Sequence, residues 1–226
     1  MDSNLFSPAV KNINEIILLL EKQYPGALGT SLGHRDAFQL LVATILAAQS
    51  TDKLVNKITP GLFKKYKGPP DFADADPGEL EQDIRTTGFF RNKAKNIMGA
   101  ARALIEDFNG KVPGNMEDLV SLPGVGRKTA NVVLGDCFGK AVIIVDTHMK
   151  RISHHIGLTL NTNPDKIEFD LKKIVPDAKQ TVFSHKIVAH GRNICIARRP
   201  KCTICPILKY CRYGQENFEP YFKGIN

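Results

Sequence analysis

No apolar run in this 226-residue chain approaches the roughly 20 residues that a membrane span requires. That excludes a helical transmembrane protein. The opening residues, MDSNLFSPAVKN, have neither the layout of a secretory signal nor the Arg-rich pattern of a transit peptide. A cytoplasmic, nucleoid-associated location is the expectation. Structural disulfides are rare in that compartment, so the five cysteines need another use. Internal repeats and low-complexity tracts are missing, which argues against solenoids and disordered tails. Strand-like alternation does not persist beyond AVIIV at 141–145, so an extended sheet has no source. Acid is in short supply too: 23 acidic residues face 31 basic ones, a net charge of +8. That excess suits a polyanionic partner. It is unevenly spread. From Asp71 to Asp83 there are six acids and no bases, and from Ile196 to Arg212 five bases and no acids.

What is present is helical periodicity. Ile13, Ile16, Ile17 and Leu20 lie on one helix face, and Phe38, Leu41, Val42 and Ile45 repeat the spacing. Ser50 or Thr51 caps a following helix carrying Leu54, Val55 and Ile58, which Pro60-Gly61 is expected to break. The longest stripe runs Ala94, Ile97, Met98, Ala101, Leu104, Ile105, Phe108, and Asn109-Gly110 stops it. Lys93 and Lys95 read as surface lysines that touch phosphate or solvent. Further stripes occupy 167–175 and 182–189. The fold class is therefore all-α.

The stretch LPGVGRKTANVVLGDCFGKAVIIVDTH at 122–148 carries the most chemistry. Gly124 and Gly126 allow a sharp hairpin that exposes successive N–H groups. A helix starts near Arg127, with Ala130, Val133, Leu134 and Cys137 on one face, and Cys137 reads as core. Unpaired amides and the helix dipole make such a start an anion site. Lys128 lies in its first turn. The positive end of the dipole disfavours an ammonium there and favours the neutral, nucleophilic amine. Asp146 precedes the apolar positions Met149, Ile152 and Ile156 and reads as a helix N-cap. A capping carboxylate at a cleft can also stabilise a developing cation or take a proton from an amine.

Four cysteines fall in Cys195-x6-Cys202-x2-Cys205-x5-Cys211. Thiolates clustered in a basic, proline-containing loop read as a metal site. Zinc and a [4Fe–4S] cluster both take four thiolates. Only one pair here has the knuckle spacing usual for zinc, so spacing alone favours iron–sulfur and leaves zinc open.

LPGVGRKTANVV followed by VDTH resembles the helix-hairpin-helix and catalytic-aspartate loop of the endonuclease III family of DNA glycosylases, and the cysteine spacing is similar to that family's cluster loop. The resemblance runs from about Ile13 to Arg212. It implies a two-lobed helix-hairpin-helix fold: a six-helix lobe over 30–140, and a second lobe of 1–29 with 141–226 and a [4Fe–4S] cluster. It implies a monomer that removes oxidised pyrimidines from duplex DNA and then cleaves the abasic strand. Lys128 matches the Schiff-base lysine and Asp146 the catalytic aspartate, expected to face each other across the inter-lobe cleft. Gln49, in Ala48-Gln49-Ser50-Thr51-Asp52, matches the residue that fills the hole left by a flipped base. Asp52 matches a polar group of the lesion pocket. Phe89 stands where many relatives carry an aliphatic wedge. Gly124, Val125, Gly126, Arg127, Thr129 and His148 are implied as DNA contacts. Arg198, Arg199 and Lys201, between the first two cysteines, are placed to meet phosphates.

Two rivals differ in class. Mismatch glycosylases of the same superfamily resemble this chain in hairpin, aspartate and cysteines. Their relatives replace the lysine by serine or tyrosine, and the adenine-specific branch adds a C-terminal domain for which the 15 residues after Cys211 leave no room. A non-enzymatic helix-hairpin-helix binding module would not need Lys128, Asp146 and Gln49 together.

Overall fold

The computed structural model describes residues 8–217. Among them it contains thirteen α-helical segments and no strand. In chain order they are α1 (Pro8–Lys11), α2 (Ile13–Gln23), α3 (Ala37–Ala47), α4 (Asp52–Lys65), α5 (Pro69–Ala73), α6 (Pro77–Asp83) and α7 (Phe90–Phe108). There follow α8 (Met116–Ser121), α9 (Arg127–Phe138), α10 (Thr147–Ile156), α11 (Pro164–Ile174), α12 (Asp177–Asn193) and α13 (Arg212–Asn217). No helix among the described residues is long and apolar enough to cross a membrane.

The chain divides into two compact units. One is Ser31–Lys140. Helix α3 is its centre: Phe38 and every residue from Leu40 to Leu46 are buried. A helix apolar on all sides is stable only when surrounded, and α3 packs against α4, α7 and α9. Asp36 caps it by accepting from the Gln39 amide at 2.8 Å. Helix α5 lies on α7 and inserts the fully buried Phe72, whose ring sits 5.5 Å from Phe38 and 4.9 Å from Tyr66. The unit has seven helical segments where six were expected. The five-residue α5, opened by Pro69 and Pro70, is too short for a period of 3.6 to reveal.

The acidic stretch Asp71–Asp83 is put to local use. Asp76 caps α6 through the Glu79 amide, and Asp71 accepts from the Lys67 amide. Asp83 accepts from Lys65 at 2.6 Å and from the Tyr66 hydroxyl at 3.2 Å.

The other unit combines the described residues up to Thr30 with those from Ala141 onward. The stripe of α2 packs on α12 and joins Met149, Ile152, Ile156, Phe183 and Ile187 in one core. AVIIV is coil rather than strand, with Val142, Ile143 and Ile144 buried. The Ile144 amide donates to Ser184 Oγ at 3.0 Å, so a side chain takes the place of a neighbouring strand.

Two further expectations are corrected. Helix α4 runs through Pro60 without breaking. Proline removes one N–H and crowds the carbonyl four residues earlier, but Pro60 and Gly61 are exposed, while Val55, Thr59 and Leu62 hold the inward face. Asn56 also ties the helix to the preceding loop, accepting from the Gly33 amide and donating to Ser31 O. Cys137 is half-buried rather than core. Because Pro60 sits in an exposed helix interior, Pro60→Ala restores a missing hydrogen bond. It should raise unfolding free energy by about 1–3 kcal/mol, less what proline contributes by stiffening the unfolded chain. Urea denaturation of the two proteins reads this directly, and a loss of stability would contradict it.

Candidate functional site

The hairpin between α8 and α9 is held from within and from beside. The Val125 amide donates back to Leu122 O at 3.1 Å, and the side chains of Leu122 and Val125 are buried. Gly124 has φ +77, and a Cβ there would lie 2.6 Å from Asn96 Cβ of α7. Both conformation and space thus demand glycine. Gly126 is the N-cap of α9 and supplies no side chain to cover its first-turn amides. That leaves a helix start suited to an anion. Arg127 and Thr129 are half-buried and Lys128 is exposed beside this start.

Asp146 is the N-cap of α10: its Oδ1 accepts from the Met149 amide at 2.7 Å. The carboxylate is half-buried. Two residues on, the His148 ring lies over α12 at Gly191, where a Cβ would fall 2.4 Å from His148 Nδ1. Gly191 therefore makes room for His148, and the Nδ1 edge of the ring is buried.

Two loops of the Ser31–Lys140 unit hold exposed residues in the left-handed region. Gln49 has φ 54 and follows Ala48, the C-cap of α3. Helices often end on a left-handed residue, but it is usually glycine. Phe89 has φ 48 and ψ 28 and is 65% exposed. It is not core. Each left-handed non-glycine residue costs roughly 1–2 kcal/mol, and neither gains burial in return. Thr51, not Ser50, caps α4, accepting from the Leu54 amide. The Ser50 Oγ is buried without a hydrogen-bond partner. Asp52 opens α4, and its Oδ2 accepts from Ser31 Oγ at 2.5 Å.

Lys93 is not a surface lysine. It is 4% exposed, and its Nζ donates to Leu46 O at 2.7 Å and to Thr87 O at 2.9 Å. Burial lowers its pKa. Lys95 is exposed, as expected.

The four cysteines line one cavity together with Ile152, Ile156, Ile194, Ile207 and Leu208. The loop is pinned by the Lys201 amide, which donates to Ile194 O at 2.9 Å. Arg198, Arg199 and Lys201 are exposed on it. Burial pushes all four thiols up, Cys205 to about 12 and Cys211 to about 11. Metal binding to such thiols displaces their protons. Among the described residues, no group of three or more His, Cys, Asp or Glu is arranged to hold a single metal ion. Four sulfurs spaced around an apolar cavity fit a polynuclear cluster.

Sequence reasoning missed the groups behind these sulfurs. The Tyr24 hydroxyl and His190 Nδ1 are 3.0 Å apart, and His190 Nε2 lies 3.6 Å from Cys205 Sγ. Burial, with the Arg151 charge adding to it, holds His190 down at about 4. Arg151 Nη2 donates to Cys195 O at 2.5 Å, and the His155 Nδ1 is 3.7 Å from Cys195 Sγ. Tyr24 is 166 residues from His190, and no local pattern links them.

A glycine hairpin beneath an open helix start and a loop of four buried or half-buried thiols, on units without strands among the described residues, define a helix-hairpin-helix protein of nucleic-acid chemistry. Residues 42–177 match the HhH-GPD superfamily base excision DNA repair protein family, and residues 195–211 match the iron-sulfur binding domain of endonuclease III. The endonuclease III of Synechocystis sp. is 52% identical over 202 residues, 89% of this chain and 92% of that protein. An endonuclease III trapped as a covalent intermediate with DNA superposes with TM-score 0.87 at 41% identity, covering 92% of this chain and 98% of that one. A thermostable thymine-DNA glycosylase superposes with TM-score 0.83 at 27% identity, covering 91% and 98%. The chain belongs to the endonuclease III family. It is a base-excision repair DNA glycosylase and abasic-site lyase, binds DNA and carries a [4Fe–4S] cluster.

Gly124→Ala tests the hairpin. It forces a side chain into the left-handed region and against Asn96, and should cost roughly 1–3 kcal/mol of stability. DNA affinity should fall with it, because the amides of 124–128 would be re-aimed. Melting and duplex titration check this; unchanged values in both would show a hairpin that tolerates a Cβ.

Proposed function

We propose that the chain removes oxidised pyrimidines from duplex DNA and cleaves the abasic strand through Lys128. The observation that carries this reading is the placement of an exposed amine in the first turn of α9, directly after an uncapped glycine hairpin. The hairpin amides would bind a phosphate and so bring the strand to the amine. Asp146 would accept the lysine proton and stabilise positive charge building on the sugar. Neutral Lys128 would attack C1′, and the base would leave with the bonding electron pair. The sugar ring would then open: the C1′–O4′ bond breaks, O4′ takes a proton, and the resulting iminium acidifies the C2′ proton. Its removal drives β-elimination, which breaks the C3′–O bond and frees the strand 3′ to the lesion.

Access needs a flipped nucleotide. Gln49 and Phe89, exposed and strained, would enter the duplex, the first filling the hole and the second wedging the stack. Asp52, held by Ser31, would meet polar edges of the extruded base. Gly124, Val125, Gly126, Arg127 and Thr129 would grip phosphates through the hairpin, and Arg198, Arg199 and Lys201 through the cysteine loop. His148, packed on Gly191, would reach DNA only by its Nε2 edge.

Cys195, Cys202, Cys205 and Cys211 would hold the cluster. When bound, the cluster would supply a rigid anchor for the loop; the lyase steps need no electron from it. The basic loop would owe its rigidity to that anchor. The protein would act as a monomer on damaged or abasic duplex in the nucleoid. The thymine-DNA glycosylase likeness keeps mismatch repair as the second reading, and the amine at position 128 sets it aside.

Borohydride reduction on abasic duplex tests the proposal. Lys128→Ala should abolish the covalent adduct while binding persists; an adduct formed at the normal rate would assign the nucleophile elsewhere. Asparagine caps as well as aspartate. Asp146→Asn should therefore keep its melting temperature while base release slows by about 10²–10³. Near-normal release would leave Asp146 as a cap only.

A further inference from the structure

Lys93 is a partner that the two exposed, strained loops share. The carbonyl of Leu46 belongs to the last turn of α3 and has no amide within its own helix to pair with; Gln49 follows three residues later. The carbonyl of Thr87 immediately precedes Gly88 and Phe89. The ammonium of Lys93 donates to both, at 2.7 and 2.9 Å. The same residue grips the second loop from its far side as well: the Lys93 amide donates to Phe89 O at 3.1 Å. Thr87 is buried beneath this arrangement, and its Oγ1 donates to Ile84 O at 2.8 Å.

The chemistry suits a brace. A cation at the C-terminal end of α3 meets the negative end of its dipole. A buried ammonium makes short, directional bonds that solvent does not contest. Left-handed non-glycine residues persist only where their surroundings over-determine them. Gln49 at φ 54 and Phe89 at φ 48 each lie within three residues of a carbonyl that Lys93 holds.

We infer that Lys93 is a positioning residue that ties the Gln49 loop to the Phe89 loop, so that both side chains enter the duplex as one preformed unit. This rests on the reading that Gln49 and Phe89 enter DNA. A brace of this kind sets where two intruding groups stand before DNA arrives. Without it, each loop must be ordered at the moment of base extrusion, and the extrusion step slows.

The test compares two substrates for the full-length protein. In one, the lesion is paired within a duplex. In the other, it lies in an unpaired bubble and needs no intrusion. Lys93→Met preserves length and burial but removes the donors. It should slow base extrusion in the duplex, followed by 2-aminopurine fluorescence beside the lesion, by about 10- to 100-fold. Trapping on the bubble should stay within about threefold of the unaltered protein. Equal losses on both substrates would mean a general structural defect and would overturn the proposal. If Lys93→Met does not fold, Lys93→Gln carries the same comparison with a shorter donor.

The Gln49→Ala, Phe89→Ala double variant separates the two ideas. If it slows the duplex alone, and adding Lys93→Met slows it no further, the brace acts through those two side chains. If the double variant slows the duplex but Lys93→Met does not, the brace falls and the DNA-entry reading stands. A double variant indifferent to pairing removes both.

Discussion

Each α-helix leaves four amides and four carbonyls without partners inside it. In a chain built only of helices those groups are numerous, and wherever they are buried they must be satisfied. Backbone amides close most of the carbonyl ends, and cations serve at three places. Lys93 covers the end of α3, Lys186 donates to Tyr24 O beyond α2, and Arg212 reaches His154 O near the end of α10. On the amide side, Asp36, Thr51, Asp76, Asn115, Asp146 and Asn163 each accept from the helix they precede. Helices α2, α5, α7 and α12 lack such a side-chain cap, and so does α9. Gly126 has nothing to offer its first-turn amides, and a phosphate oxygen is the acceptor that fits.

The cysteine loop obeys a different constraint. Its thiols are buried and favour the protonated form, so the bare loop is short of charge where its metal needs four anions. Binding iron therefore couples to proton release and to closure of the loop. The second layer of Tyr24, His190, Arg151 and His155 is already in place around the sulfurs. Such outer groups orient metal ligands and tune the centre.

A fold shared with a thymine-DNA glycosylase does not choose a reaction, since one scaffold hosts several chemistries. On the proposed reading, the choice would lie in side chains grafted at helix ends. Lys128, Asp146, Gln49, Asp52 and Phe89 all sit in the first turn of a helix, at its cap or one residue beyond. Helix ends are where backbone and side chain are both accessible, and so where a change of one residue alters chemistry without disturbing a core.

By itself the sequence determined what depends on neighbours a few residues apart. The helix stripes, the cap at Asp146, the hairpin at Gly124–Gly126 and the cysteine spacing are all local, and local geometry follows from backbone stereochemistry. Only the tertiary structure decided what depends on contacts between distant segments. Lys93 was legible as a polar position on α7, but its partner Leu46 lies 47 residues away. Pro60 looked like a break because the buried Val55, Thr59 and Leu62 that hold α4 together act from the other side of the helix. The left-handed backbones of Gln49 and Phe89 oppose their own intrinsic preference. Periodicity tells which face of a helix turns inward. It does not tell which group waits there, because that is set by packing energies summed over elements the chain joins only when folded.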